Sequence, residues 1–112
     1  MTGSTQGTVD YILELLEPLK QLSHGRFFGG IGLKCDSVQF AMVMGNDLFF
    51  VVDNSTRPKY EEKGMGCFWY NTKTKKVNVK KYYEVPSELL DDQDSLLEWA
   101  KESIHVARKL KK

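Results

Sequence analysis

The chain is poor in the residues that build dedicated chemical sites. Its 112 residues include two cysteines, Cys35 and Cys67, and they fall outside any CxxC spacing. That excludes a disulfide scaffold and a paired-cysteine zinc module. His24 and His105 are the two histidines, and they stand far apart in sequence. No pair of potential ligands has metal-site spacing, so neither a metal nor any other cofactor is expected. No apolar run approaches the ~18 residues of a membrane span, so no membrane partner is expected. The start of the chain is polar and uncharged, unlike a secretory signal. A cytoplasmic location with reduced thiols is the expectation.

Charge of one sign is also lacking. Lysine plus arginine number 16 and aspartate plus glutamate 15, a net charge of +1. Only Arg26, Arg57 and Arg108 are arginines. A dedicated nucleic-acid coat would be strongly basic, so DNA contact is at most secondary. GxSxG, HExxH, GxGxxG and GK[ST] are all missing, and no enzyme is expected. Asp91, Asp92 and Asp94 fall at a helix start, where solvated acids belong.

The charge that is present is segregated. Residues 67–82 carry five lysines and no acid, and residues 83–100 carry six acids and no base. These blocks concern contact surfaces rather than fold. They invite pairing with each other, within one chain or across a dimer.

Apolar content of 41% fits one globular domain. Residues 1–7 read as a flexible lead, and 8–112 as a single domain. Val9, Ile12, Leu15, Leu16 and Leu19 recur at helical spacing, and Pro18 predicts an end near Glu17. His24-Gly25 closes that segment. Arg26–Lys34 reads as one strand, Val38–Met44 as a second and Leu48–Val52 as a third. Asp36-Ser37 and Gly45-Asn46-Asp47 supply the turns. Ser55–Lys63 fits a short helix capped by Asn54 or Ser55, with Gly64 at its end. Cys67–Asn71 and Lys76–Tyr83 form a second hairpin across Thr72–Lys75. One helical turn fits Pro86–Leu90. The last helix carries a Ser95/Glu98 capping box and an apolar face of Leu96, Leu97, Ala100, Ile104, Ala107 and Leu110. The fold class is therefore α+β: two layers, one antiparallel five-stranded sheet, in the order α-β-β-β-α-β-β-α.

Two constellations stand out. Gly29-Gly30-Ile31-Gly32 lacks the strand-before, helix-after setting of a phosphate loop. It reads instead as backbone that must bend or be approached closely. Gly30→Val should then destabilise the domain if φ is positive there. The second is the lysine hairpin. Lys73, Lys75, Lys76, Lys80 and Lys81 surround Trp69 and Tyr82 and form the candidate surface for a protein partner. Such interleaving also suits a nucleic-acid strand, while lysines on an edge strand equally guard against aggregation. A ligand-binding or enzymatic pocket would instead require a polar cleft near His105 or Cys67.

An ordered set of segments carries a family resemblance. These are Arg26-Phe-Phe-Gly-Gly-Ile-Gly-Leu33, Phe40-Ala-Met42, Asp47-Leu-Phe-Phe50, Gly66-Cys-Phe-Trp-Tyr70 and Tyr82-Tyr-Glu-Val-Pro86. Together they resemble the N-terminal domain of the TfoX/Sxy competence regulators, over about Arg26 to Lys109. The resemblance marks Arg26, Phe28, Gly29, Gly30, Gly32, Tyr83 and Pro86 as structural motif residues. It implies the fold order given above, an architecture like that of type III secretion chaperones, and frequent homodimers. It implies no catalysis. Full-length members are positive transcription regulators that work with the cAMP receptor protein at promoters of DNA-uptake genes. They carry a second, C-terminal domain, so the chain is either a stand-alone N-terminal module or part of such a regulator.

Overall fold

A computed structural model describes residues 6–27 and 29–111. Phe28 and most of the expected flexible lead lie outside the described residues.

The first helix, α1, spans Gln6–Leu15, two residues ahead of Thr8. It buries Val9 and Ile12, and Leu16 and Leu19 continue the apolar stripe past its end. Pro18 has no amide to extend the ladder, so the chain turns there.

Two strands replace the single one expected over 26–34. β1 spans Leu22–Phe27 and β2 spans Gly30–Cys35, paired antiparallel with Phe27 opposite Gly30. The sheet therefore has six strands, not five. Gly29 has φ +79°, a left-handed conformation that lets the chain reverse at once. β1 is exposed over most of its length, so no alternation of apolar residues announced it. His24 and Gly25 lie inside this strand rather than closing a helical segment.

β3 (Val38–Met44) and β4 (Asp47–Val51) complete the meander. Asp36 and Ser37, at φ 54° and 69°, make the tight turn between β2 and β3. Such primed turns match the twist of the strands they join. Lys34 pairs with Gln39 and Leu33 with Ala41, which leaves Phe40 as a bulge. Phe40 and Ala41 are both fully buried, and the Phe40 ring lies 5.9 Å from that of Phe50.

α2 spans Arg57–Glu62. Its entry is held by Asp53, not by Asn54 or Ser55. The Asp53 carboxylate accepts the amides of Ser55 and Thr56 at 2.9 and 3.0 Å. β5 (Cys67–Asn71) and β6 (Lys76–Glu84) follow. A 3-10 turn over Ser87–Asp91 leads to α3, Gln93–Lys111. α3 begins before the expected capping box. Asp92 accepts the Ser95 amide at 3.2 Å and its hydroxyl at 2.8 Å. On α3, Leu110 is 48% exposed, while Ser103 and Val106 are buried.

The strand order is β1-β2-β3-β4-β6-β5. α3 packs across β3 and β4, and α2 packs against β6. The Ser103 hydroxyl reaches the carbonyls of Phe40 and Val51, at 2.8 and 3.0 Å. Tyr60, 1% exposed, stacks edge-on to Trp99 and meets Tyr83. Burial first, then the nearby Glu102 carboxylate, pushes the Tyr60 hydroxyl far above its usual range. On the opposite sheet face, Tyr82 meets Phe27, and Phe49 meets Phe68. The sheet thus buries apolar residues on both faces. Among the described residues, no helix is long and apolar enough to cross a membrane.

Candidate interaction surface

The β5–β6 hairpin departs from the rest of the sheet because β6 is longer than its neighbour. β4 pairs with β6 at Tyr82, Tyr83 and Glu84, and two flanking bonds, from the Val52 amide to the Lys81 carbonyl and from the Val85 amide to the Leu48 carbonyl, are each 2.8 Å. Residues 76–79 pair with β5 alone, from Phe68 opposite Val79 to Asn71 opposite Lys76, and a register shift separates this stretch from Cys67 opposite Tyr83. The outer hairpin is therefore a two-stranded ribbon that overhangs β4. Its tip is closed by Thr72, whose amide donates to the Lys75 carbonyl at 2.7 Å and whose hydroxyl accepts the Lys75 amide at 3.1 Å.

All five hairpin lysines are exposed. Among the described residues none of them joins an ion pair; Lys59, Lys63 and Lys109 supply the cations of those that form. The acidic block does not neutralise the hairpin. Its Glu88 pairs instead with Lys63, at 2.9 Å. Lys76 places its ammonium 4.5 Å from the Trp69 ring centre, a cation–π contact. Trp69 is 50% exposed and Tyr70 42%. Tyr70, the next residue of β5, points to the other face of the ribbon, with its ring 6.2 Å from that of Phe68.

Tyr82 is not exposed on that surface but lies beneath it, with the Lys81 ammonium 5.9 Å from its ring centre. It is buried, with its ring 6.3 Å from Phe27, and its oxygen accepts a bond from the Gln39 side chain at 3.0 Å. Burial raises its hydroxyl pKa, and the Gln39 bond lowers it in part. β6 pairs with β4 at this point, so consecutive tyrosines are covered on both faces. Tyr83 points to the helix side and donates to the Glu61 carboxylate at 2.9 Å. Its pKa is raised by burial first, then by that carboxylate.

The glycine motif is structural, for reasons that differ by position. The positive φ belongs to Gly29 and not to Gly30. A Cβ on Gly30 would fall on the Val43 carbonyl oxygen of the adjacent strand. At Gly32 it would meet the Gln39 side-chain amide. Arg26 is exposed on β1, and Pro86 is buried at the end of β6.

Sheet and helices meet in a packed apolar layer. Open pockets lie at its rim. One, of about 480 Å³ beside Cys67, runs along Phe49, Phe68 and Trp69 and includes Asp47 and Glu84. Burial first, and then Asp47, raise the Glu84 pKa. Another lies beside His105. Among the described residues no group of three or more His, Cys, Asp or Glu is placed to hold a metal ion.

The TfoX N-terminal domain profile matches residues 14–107. The chain belongs to the TfoX N-terminal domain family. The match begins at the last two residues of α1, covers every strand and α2, and ends within α3. The three helices and the antiparallel sheet agree with the architecture that the resemblance implied. No curated protein matches the chain.

Proposed function

We propose that this TfoX N-terminal domain is a non-enzymatic regulatory module that acts by protein contact in the control of competence genes. The outer β5–β6 ribbon is its contact surface. The observation that supports this is the exposure of Trp69 and Tyr70 among five lysines that, among the described residues, form no ion pair. Exposed tryptophan and tyrosine are the residues that most often anchor protein interfaces. The lysines fit a partner with an acidic face and speed its encounter. The near-balanced net charge favours a protein partner over autonomous duplex binding.

A second reading rests on the same ribbon. Lys76 over Trp69 resembles the cation and ring of a stacking site for a single strand.

One titration separates the two. Labelled promoter DNA from DNA-uptake genes is followed by fluorescence anisotropy, with and without the cAMP receptor protein and cAMP. Contact with the receptor predicts a rise on adding the domain only when the receptor is present, lost in Lys75→Glu/Lys76→Glu/Lys80→Glu. Direct binding predicts a rise without the receptor that falls steeply with salt. No rise in either arm refutes the promoter role for this domain.

A further inference from the structure

A second charged site lies away from the ribbon. Lys101, His105 and Arg108 stand four and three residues apart, so they share one stripe of α3. They line an open pocket of about 380 Å³. Lys20, from the segment after α1, lines the same pocket, whose apolar wall is Leu19 and Ile104. Asp36 is the carboxylate at its rim among the described residues.

Two features distinguish this pocket from an ordinary solvated helix face. First, its cations are unspent. Among the described residues, Lys20, Lys101, His105 and Arg108 enter no ion pair, while the neighbouring Lys109 is held by Asp53 at 3.3 Å. Second, the rim that carries Lys20 is tied to the sheet. The Asp36 amide donates to the Gln21 carbonyl at 3.1 Å, and the Cys35 thiol donates to the Lys20 carbonyl at 3.1 Å. Gln21 and Asp36 are held at φ 60° and 54°, where side-chain-bearing residues are uncommon. A frame fixed in this way loses little freedom on binding.

We propose that the pocket binds a small organic phosphate. Lys20, Lys101 and Arg108 carry three positive charges against the one of Asp36, which suits a doubly charged phosphomonoester. The planar fork of Arg108 matches phosphate oxygens, and the lysines act as point charges. Bare phosphate would leave most of the volume empty, since about 300 Å³ is already the lower end for small-molecule sites. The remaining space, against Leu19 and Ile104, takes a ring or short carbon body. The site shares no residue with the ribbon, so it stands or falls independently of the function proposed above.

The test is an amide NMR titration of the whole domain with three probes: inorganic phosphate, AMP and adenosine. AMP is expected to give saturable shifts at Lys20, Gln21, Asp36, Lys101 and Arg108. Inorganic phosphate should bind roughly tenfold more weakly, and adenosine should not saturate. Lys101→Gln and Arg108→Gln, both at exposed positions, should weaken AMP by roughly tenfold each while Lys109→Gln retains it. No saturable shift with either phosphate overturns the proposal, as do shifts confined to the ribbon or full binding by Arg108→Gln. Equal affinity for inorganic phosphate and AMP overturns the assignment of Leu19 and Ile104 to an organic body.

Discussion

Ser103→Ala is the sharpest test of how the helix layer is fixed to the sheet. Ser103 is 1% exposed, and its hydroxyl lies 2.8 Å from the Phe40 carbonyl and 3.0 Å from that of Val51. One hydroxyl hydrogen serves one carbonyl at a time. Phe40 is the bulged residue, with no partner opposite it on β2. Removing the hydroxyl leaves buried acceptors short of a donor, which costs about 1–3 kcal/mol. Alanine favours a helix interior over serine by about 0.5 kcal/mol, which offsets part of this. The net expectation is a loss of about 0.5–2.5 kcal/mol. For a chain of this length the entropy of melting is about 0.24 kcal/mol/K, so the melting temperature should fall by about 2–10 °C. Thermal melts and urea titrations followed by circular dichroism measure both quantities. The urea slope should be unchanged, because the surface exposed on unfolding is the same. A melting temperature equal to or above that of the parent would refute the reasoning, since helix propensity would then outweigh the buried bond.

Other substitutions probe separate parts of the structure. Gly30→Ala puts a Cβ onto the Val43 carbonyl and 2.5 Å from the Met44 sulfur. It should therefore destabilise the domain more than Gly29→Ala, whose strain at φ +79° costs about 1–2 kcal/mol; the two melts compared side by side check this. Asp53→Ala removes the cap of α2 and the partner of Lys109, and should cost about 1–2 kcal/mol at neutral pH. The Ser55 hydroxyl above all, then the Thr56 amide, Lys109 and the Ser55 amide, hold the Asp53 carboxyl well below the usual carboxylate range against the opposing effect of burial. A depressed folded-state pKa means the stabilisation is present above the usual carboxylate range and is lost as the pH falls through the folded value. The gap between parent and Asp53→Ala should thus close in acid melts. Cys35 is buried and bonded to the Lys20 carbonyl, whereas Cys67 is half-buried. A thiol reagent should consume Cys67 first under native conditions, and equal rates would contradict that difference in access.

Much of the architecture was legible because local chemistry and fold agree. Turns at Asp36-Ser37, Gly45-Asn46 and Thr72–Lys75 sit where polar residues interrupt apolar runs. β6 follows its expected alternation from Lys76 to Lys80, and loses it where it joins β4. β1 escaped notice because an exposed strand needs no apolar pattern, and its only cue was the glycine that follows. The helix caps were misplaced by one to three residues because aspartates just upstream, Asp53 and Asp92, compete for the same amides. The lysine hairpin was readable from composition, but its overhang depends on the relative lengths of β4 and β6. Tyr82 could not be assigned a face without its register against Val51. The pocket beside His105 was only half visible. The stripe of Lys101, His105 and Arg108 is written in helical spacing, whereas Lys20 joins it from a segment some eighty residues away.

The unlike margins of the sheet bear on how copies of this chain would meet. β1, with His24 and Arg26, forms one border, and β5, with Trp69 and Tyr70, forms the other. Two copies joined through the same border form a closed pair with a twofold axis, and growth stops there. Joining the first border of one copy to the last border of the next leaves a free border at each end, and the sheet lengthens into a fibre. Lysines next to the second border make unions that use it costly at low salt and less so as salt screens them. A lysine-to-apolar substitution on the ribbon would therefore remove a brake on polymerisation along with a binding charge.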